Sequence, residues 1–162
     1  MYSACIYFER LMAKPRTYLC RCPECGGERQ VMGVCRLCGS TEVPEAITET
    51  LIFDLELGAP LVEEAISKFE QYLEVASNAC FKTMLVIHGY GSSGKGGEIR
   101  KTLRDNLEHN FYSDRVIDYY LGEDLKEGNE SYTQLLKRRP SLQKQKTQFK
   151  NSNAGVTLLL LT

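Results

Sequence analysis

No apolar run in this sequence is long enough to cross a bilayer. The longest, from Val156 to Leu161, is broken by Thr157 and falls far short of the ~20 residues a spanning helix needs. Neither sign of charge is in excess, with 20 Lys and Arg against 21 Asp and Glu. At 43% hydrophobic and 25% charged residues, the composition is that of an ordinary globular chain, which excludes wholesale disorder and collagen-like or coiled-coil architecture. There is no internal repeat. The opening segment MYSACIYFERLMAKPR carries Glu9 and Arg10 where a secretory signal needs an unbroken apolar stretch. The expectation is a cytoplasmic protein with no membrane partner. A length of 162 residues suits one domain with room for an appendage of roughly 40 residues, and excludes a large multidomain machine.

Cysteine, by contrast, is plentiful, and five of the seven lie between Cys20 and Cys38. An odd total, no export signal and clustering in pairs argue for a metal rather than disulfides. CPECGG and CRLCG are two Cys-x-x-Cys knuckles, Cys22/Cys25 and Cys35/Cys38, nine residues apart, each followed by Gly (Gly26 and Gly39). Glycine there permits the tight turn that aims backbone amides at sulfur. Four thiolates fit a tetrahedral zinc site with every position filled. Such a site staples a segment too short to build its own core, and a zinc ribbon or knuckle can also dock a nucleic acid or a protein. Residues 20–46 are therefore read as a zinc-binding segment, preceded by an N-terminal extension over residues 1–19. Cys20 is the spare thiol beside the four ligands, and Cys5 and Cys80 are ordinary reduced thiols.

From about residue 50 to residue 162 the periodicity alternates. Leu51, Ile52, Phe53 and Leu55 form a short apolar run that reads as a buried strand. Val62, Ala65, Ile66, Phe69, Leu73 and Ala76 then recur at helical spacing. Met84–Ile87 is a second strand, and Ile99, Leu103 and Leu107 mark the buried face of a second helix over 97–109. Val116, Ile117 and Tyr119 suggest a third strand and VTLLLL a last one. The fold class implied is α/β: a two-layer βαβαβ-β sheet, strands mostly parallel, covered by two helices. Between the last two strands, residues 137–150 carry Lys137, Arg138, Arg139, Lys144, Lys146 and Lys150 and no acid. Pro140, three Gln and few large apolar residues make this basic insertion read as a loop or disordered segment, suited to phosphate contacts.

The chemically suggestive segment is MLVIHGYGSSGKGGEIRKTLRDNL, a strand, a glycine-rich loop and a helix. Gly89, Gly94 and Lys95 satisfy the spacing of a nucleotide-binding P-loop, but Gly96 stands where Ser or Thr should ligate magnesium. What survives is an anion nest made by glycine amides and a helix N-terminus, for which phosphate is the natural ligand. His88 ends the strand at its mouth, Lys95 lies within it, and Arg100 and Arg104 share a helix face at i and i+4. An isolated histidine in this position would be a hydrogen-bonded structural one. If the first strand lies beside the second, Asp54 and Glu56 reach the same C-terminal edge, where open parallel sheets bind ligands.

With FDLELGAPLVEEAI, VIHGYGSSGKGGEIRKTL and the terminal GVTLLLL, the stretch from Leu51 to Thr162 resembles an Smr (small MutS-related) domain. That family shows a D-L-H first strand, a Val-Glu-Glu-Ala-type helix start and an I-H-G-x-G loop entering a helix with an early Arg. The resemblance implies a sheet like that of the C-terminal domain of a bacterial translation initiation factor. It also implies endonucleolytic cleavage, of DNA or of messenger RNA on stalled ribosomes. It places His88, Gly89 and Gly91 as loop residues facing nucleic acid, Asp54 as the motif's acid and Arg100 as the early helix Arg. Glu56 replaces the motif's histidine, and a short insertion precedes Val62.

The function expected is processing of nucleic acid by an endonuclease, RNA favoured over DNA, with the ribosome as a further partner. In one mechanism His88 acts as acid or base, Asp54 or Glu56 orients or opposes it, and Arg100, Lys95 and the loop amides stabilise phosphorane charge. In the other, Asp54 and Glu56 ligate a divalent metal that activates water. The alternative class is a module that binds nucleic acid or ribosome and cuts nothing.

Overall fold

The computed structural model describes residues 20–90 and 95–162. The N-terminal extension and the loop glycines Gly91 and Gly94 lie outside the described residues. Three short strands, β1 (Cys20–Arg21), β2 (Glu28–Arg29) and β3 (Glu45–Ala46), form a small antiparallel sheet in the order β2-β1-β3. The larger unit follows as β4 (Thr50–Asp54), α1 (Val62–Asn78), β5 (Thr83–Ile87), α2 (Lys95–Glu108), β6 (Val116–Leu121), α3 (Glu130–Arg138), a 3-10 run (Pro140–Gln148) and β7 (Val156–Leu161). Among the described residues no helix is long and apolar enough to cross a membrane.

The main sheet has the order β4-β5-β7-β6. β4 and β5 are parallel, as expected, but β7 inserts between β5 and β6 and runs antiparallel to both. It is therefore an interior strand, as β5 is, and all six of its residues are buried. On β4 only alternate residues turn inward: Leu51, Phe53 and Leu55 are buried, while Ile52, Asp54 and Glu56 are exposed. This is a half-covered edge strand, not the fully buried one its apolar run suggests.

Helix stripes account for one face of the sheet. Ala65, Phe69, Leu73 and Ala76 of α1 and Ile99, Leu103 and Leu107 of α2 pack on Leu51, Phe53, Met84, Val86, Leu159 and Leu161. α1 starts where Glu64 reaches back to accept from the Leu61 amide at 3.0 Å, one arm of a capping box. The opposite face corrects the expectation of two covering helices and a basic loop. Leu85, Leu158 and Leu160 are covered there by Leu125, Tyr132, Leu135, Leu142 and Phe149. The segment read as a loop is folded: Lys137 and Arg138 end α3, whose N-cap Asn129 accepts from the Tyr132 amide, and the rest forms the 3-10 run. Leu142 and Phe149 are both 0% exposed. Burying such a side chain contributes about 1.5–3 kcal/mol, so the two anchor a mostly polar stretch on the sheet.

The small sheet is not separate from this core. Cys20 and Val31 belong to the same buried cluster as Phe69 and Met84, and the Ala46 amide donates to the Ala79 carbonyl at 2.9 Å.

Candidate functional site

Four thiols converge as their spacing requires. The sulfurs of Cys22, Cys25, Cys35 and Cys38 all lie within 4.8 Å of one another, the only such ligand group among the described residues. Cys22 to Cys38 and Cys25 to Cys35 are each 3.7 Å, and sulfurs at the vertices of a tetrahedron with 2.3 Å metal bonds stand about 3.8 Å apart. The two knuckles share one backbone design. Gly26 donates to Cys22 O at 2.9 Å and Gly39 to Cys35 O at 2.7 Å, while Cys22 donates to Gly27 O and Cys35 to Ser40 O, both at 2.8 Å. The glycines sit at φ +72° and +76°, which β-carbon-bearing residues rarely adopt. The Cys25 amide draws the Cys22 thiol down to about 6, and the Cys38 amide lowers Cys35 likewise. Cys20 is buried in the core, which pushes its thiol up to about 11, and it stands outside the ligand group.

The second candidate is the C-terminal edge of the main sheet. His88 follows β5 and is fully buried. Its Nδ1 donates to the Gly89 carbonyl at 3.2 Å and its Nε2 stands 2.8 Å from Thr157 Oγ1. With the Nδ1 proton given to a carbonyl, Nε2 accepts from the Thr157 hydroxyl. Burial holds the imidazole down to about 4, with Arg104 and Arg100 pushing the same way against the Gly89 carbonyl and Glu123. At neutral pH the ring is an uncharged, doubly bonded post.

The pleat divides the expected catalytic group. Asp54 pairs with Ile87 across β4 and β5, so it shares a face with Ile87, whereas His88 lies on the opposite face with Thr157 and α2. Both ring nitrogens of His88 are occupied, and neither Asp54 nor Glu56 is a partner. Asp54 Oδ1 accepts from the Glu56 amide at 2.9 Å. The Glu56 carboxylate lies against Gly89, in the space that a β-carbon would take. The nest is likewise altered, because the His88 and Gly89 amides both donate to Gly155 O, at 2.9 and 3.0 Å. They tie the loop to β7 and are not turned to a ligand. Asp54 and Glu56 have no third ligating side chain near them among the described residues.

Of the cations, Arg104 bonds Glu123 at 2.6 Å. Burial opposes the ionisation of Glu123, yet Arg104 and nearby Arg100 hold its carboxyl below the ordinary range. Arg100 is half-buried on the same helix, with no carboxylate partner among the described ion pairs. Lys95 opens α2.

Residues 57–135 match the Smr domain family. The match opens just after Glu56 and closes at Leu135, so it takes in His88, Gly89 and Arg100 but not Asp54, Glu56, the four cysteines or β7. Over 71% of this chain and 99% of the other, the chain is similar, at 19% identity and a TM-score of 0.40, to the structure titled "Crystal structure of the Smr domain of Thermus thermophilus MutS2". No curated protein matches the sequence.

Around the Smr match, the basic segment is only partly free. Arg138 is docked on β6 by Asp118 Oδ2 and by the Tyr120 hydroxyl at 2.9 Å. Arg139 and Lys146 are half-buried, while Lys137 and Lys144 are exposed. Sequence reasoning missed the partners that fix this edge: Thr157, Gly155, Glu123, and Asn153, which accepts from the Tyr90 hydroxyl at 2.6 Å. Their sole signal was the GVTLLLL terminus, which contains Gly155 and Thr157.

Proposed function

We propose that this chain binds nucleic acid at the C-terminal edge of its main sheet, and that its four-cysteine centre holds a structural zinc. The match of residues 57–135 to the Smr domain carries the first part, since that domain is associated with nucleic-acid binding and nuclease function. Arg100 supplies the least committed cation at this edge, and Lys137 and Lys144 supply exposed charge on the sheet's other side for sequence-independent phosphate contact. RNA is the favoured ligand. For the metal, Cys22, Cys25, Cys35 and Cys38 are four soft thiol donors at tetrahedral spacing, the donor set that selects zinc. With all four positions filled by protein, zinc there supplies folding energy and no bound water.

Binding without cleavage is the better-supported form. His88 has no free nitrogen to exchange a proton with substrate, and the sheet pleat keeps the carboxylates from orienting it. Cleavage stands as the second reading because Glu56 lies against Gly89 and Asp54 is exposed beside it. Two carboxylates can share a divalent ion with a substrate phosphate. Fluorescence anisotropy with labelled RNA and DNA, paired with gels run in magnesium and manganese, separates the two. Salt-dependent binding that weakens in Arg100→Ala, with intact strands on the gel, is the expected outcome. Cleavage lost in Asp54→Asn and Glu56→Gln would instead establish the nuclease. Absence of any binding at low salt would refute both readings.

A further inference from the structure

Tyr90 is 64% exposed, yet its ring is not loose. Its hydroxyl donates to Asn153 Oδ1 at 2.6 Å. Asn153 is itself fixed, accepting from the Gly155 amide at 3.0 Å and donating from Nδ2 to the Gln148 carbonyl at 2.6 Å. Gly155 in turn receives both the His88 and Gly89 amides. An aromatic side chain is thus pinned at its far end by Asn153, in the segment that leads into β7, while most of its surface stays in water. Ordering that a ligand would otherwise impose on a side chain costs binding free energy, and here the rotamer is already set.

Charge along this edge is divided. The Glu56 carboxylate lies against Gly89, the residue before Tyr90, and repels a phosphate from that position. Arg100 lies on the side of α2, close enough to act on His88. A neutral flat group beside the carboxylate and a phosphate toward the arginine satisfy both. A base in a duplex cannot present its face to a protein ring, whereas an unpaired base can.

From this arrangement we infer that Tyr90 is a stacking platform for an unpaired base, so that the edge selects single-stranded over double-stranded nucleic acid. The inference rests on the nucleic-acid reading above and gives it a substrate class. Asn153 is a positioning residue, acting through Tyr90.

The test uses the full chain and a fluorescein-labelled single strand, the same sequence as a duplex, and a strand carrying 2-aminopurine, each made as RNA and as DNA. Wild type binds the single strand more tightly and quenches 2-aminopurine as the base stacks. Tyr90→Leu loses about fivefold or more of single-strand affinity and loses the quenching, with duplex affinity unchanged. Tyr90→Phe keeps the ring but loses its tie to Asn153, so it still quenches 2-aminopurine and binds the single strand more weakly than wild type but more tightly than Tyr90→Leu; a merely structural Tyr90–Asn153 bond would make the two variants alike. A response in either sugar series supports the platform. Equal losses on single strand and duplex, or no loss in Tyr90→Leu, would overturn it while leaving the binding reading intact. Wild type that binds neither form would overturn both.

Discussion

His88 allows a quantitative check that needs no substrate. Its ordinary value of 6.5 falls to about 4 in the fold because the ring is buried. A histidine depressed in this way is neutral in both folded and unfolded chains above pH 6.5. Below that, the unfolded chain takes up a proton that the folded chain refuses, so stability is full at neutral pH and falls as pH drops toward 4. Between pH 7 and pH 5 the difference works out at about 2 kcal/mol, and below pH 4 it levels off near 3 kcal/mol. Urea unfolding of wild type and His88→Gln at both pH values isolates the effect, because titrations common to the two proteins cancel in the double difference. Wild type should lose about 2 kcal/mol more than the variant. The protein has two histidines, so the His88 ring proton can also be followed by NMR, and its shift should stay flat from pH 8 to pH 5. Equal losses in the two proteins, or an inflection near neutrality, would refute the buried neutral post and restore His88 as a proton carrier.

Thr157→Val keeps the shape but removes the hydroxyl facing His88 Nε2, leaving a buried nitrogen unsatisfied, and should cost about 1–3 kcal/mol in denaturant unfolding. Cys22→Ser should release about one equivalent of zinc by a colorimetric chelator assay; calorimetry should show the melting of the main unit lowered too, because Cys20 and Val31 lie in its core. Leu142→Ala should destabilise by about 2–5 kcal/mol, an effect a solvated loop would not show. Lys137→Ala with Lys144→Ala should flatten the salt dependence of nucleic-acid affinity by up to about two in log–log slope, with the melting temperature unchanged.

Local pattern was enough for the elements that bury a regular stripe. The spacing of Ile99, Leu103 and Leu107, or of Ala65, Phe69 and Leu73, is itself the physical cause of the helix face they form. The knuckles were equally readable, since their geometry is built within a few residues of each cysteine. Leu142 and Phe149 were not, because each stands alone among polar neighbours and gains its energy from strands distant in sequence. Composition there resembles a loop until the sheet supplies a surface. The edge was misjudged for a related reason. Both Asp54 and His88 were correctly brought to the end of the sheet, but which face each takes depends on register. The fate of the His88 nitrogens depends on Thr157, 69 residues away.

The placement of β7 also bears on how the protein is made. A nascent chain synthesised only to residue 150 holds β5 and β6 without the strand that joins them, each presenting an unpaired edge and the apolar side chains meant for Val156–Leu161. Such edges invite pairing with other chains, and contacts this remote in sequence form slowly. Closing the sheet therefore requires Val156–Leu161, which pairs with both β5 and β6. Until then β5 and β6 are the aggregation-prone surfaces of the growing chain, and a holdase acting during synthesis would find its binding site there.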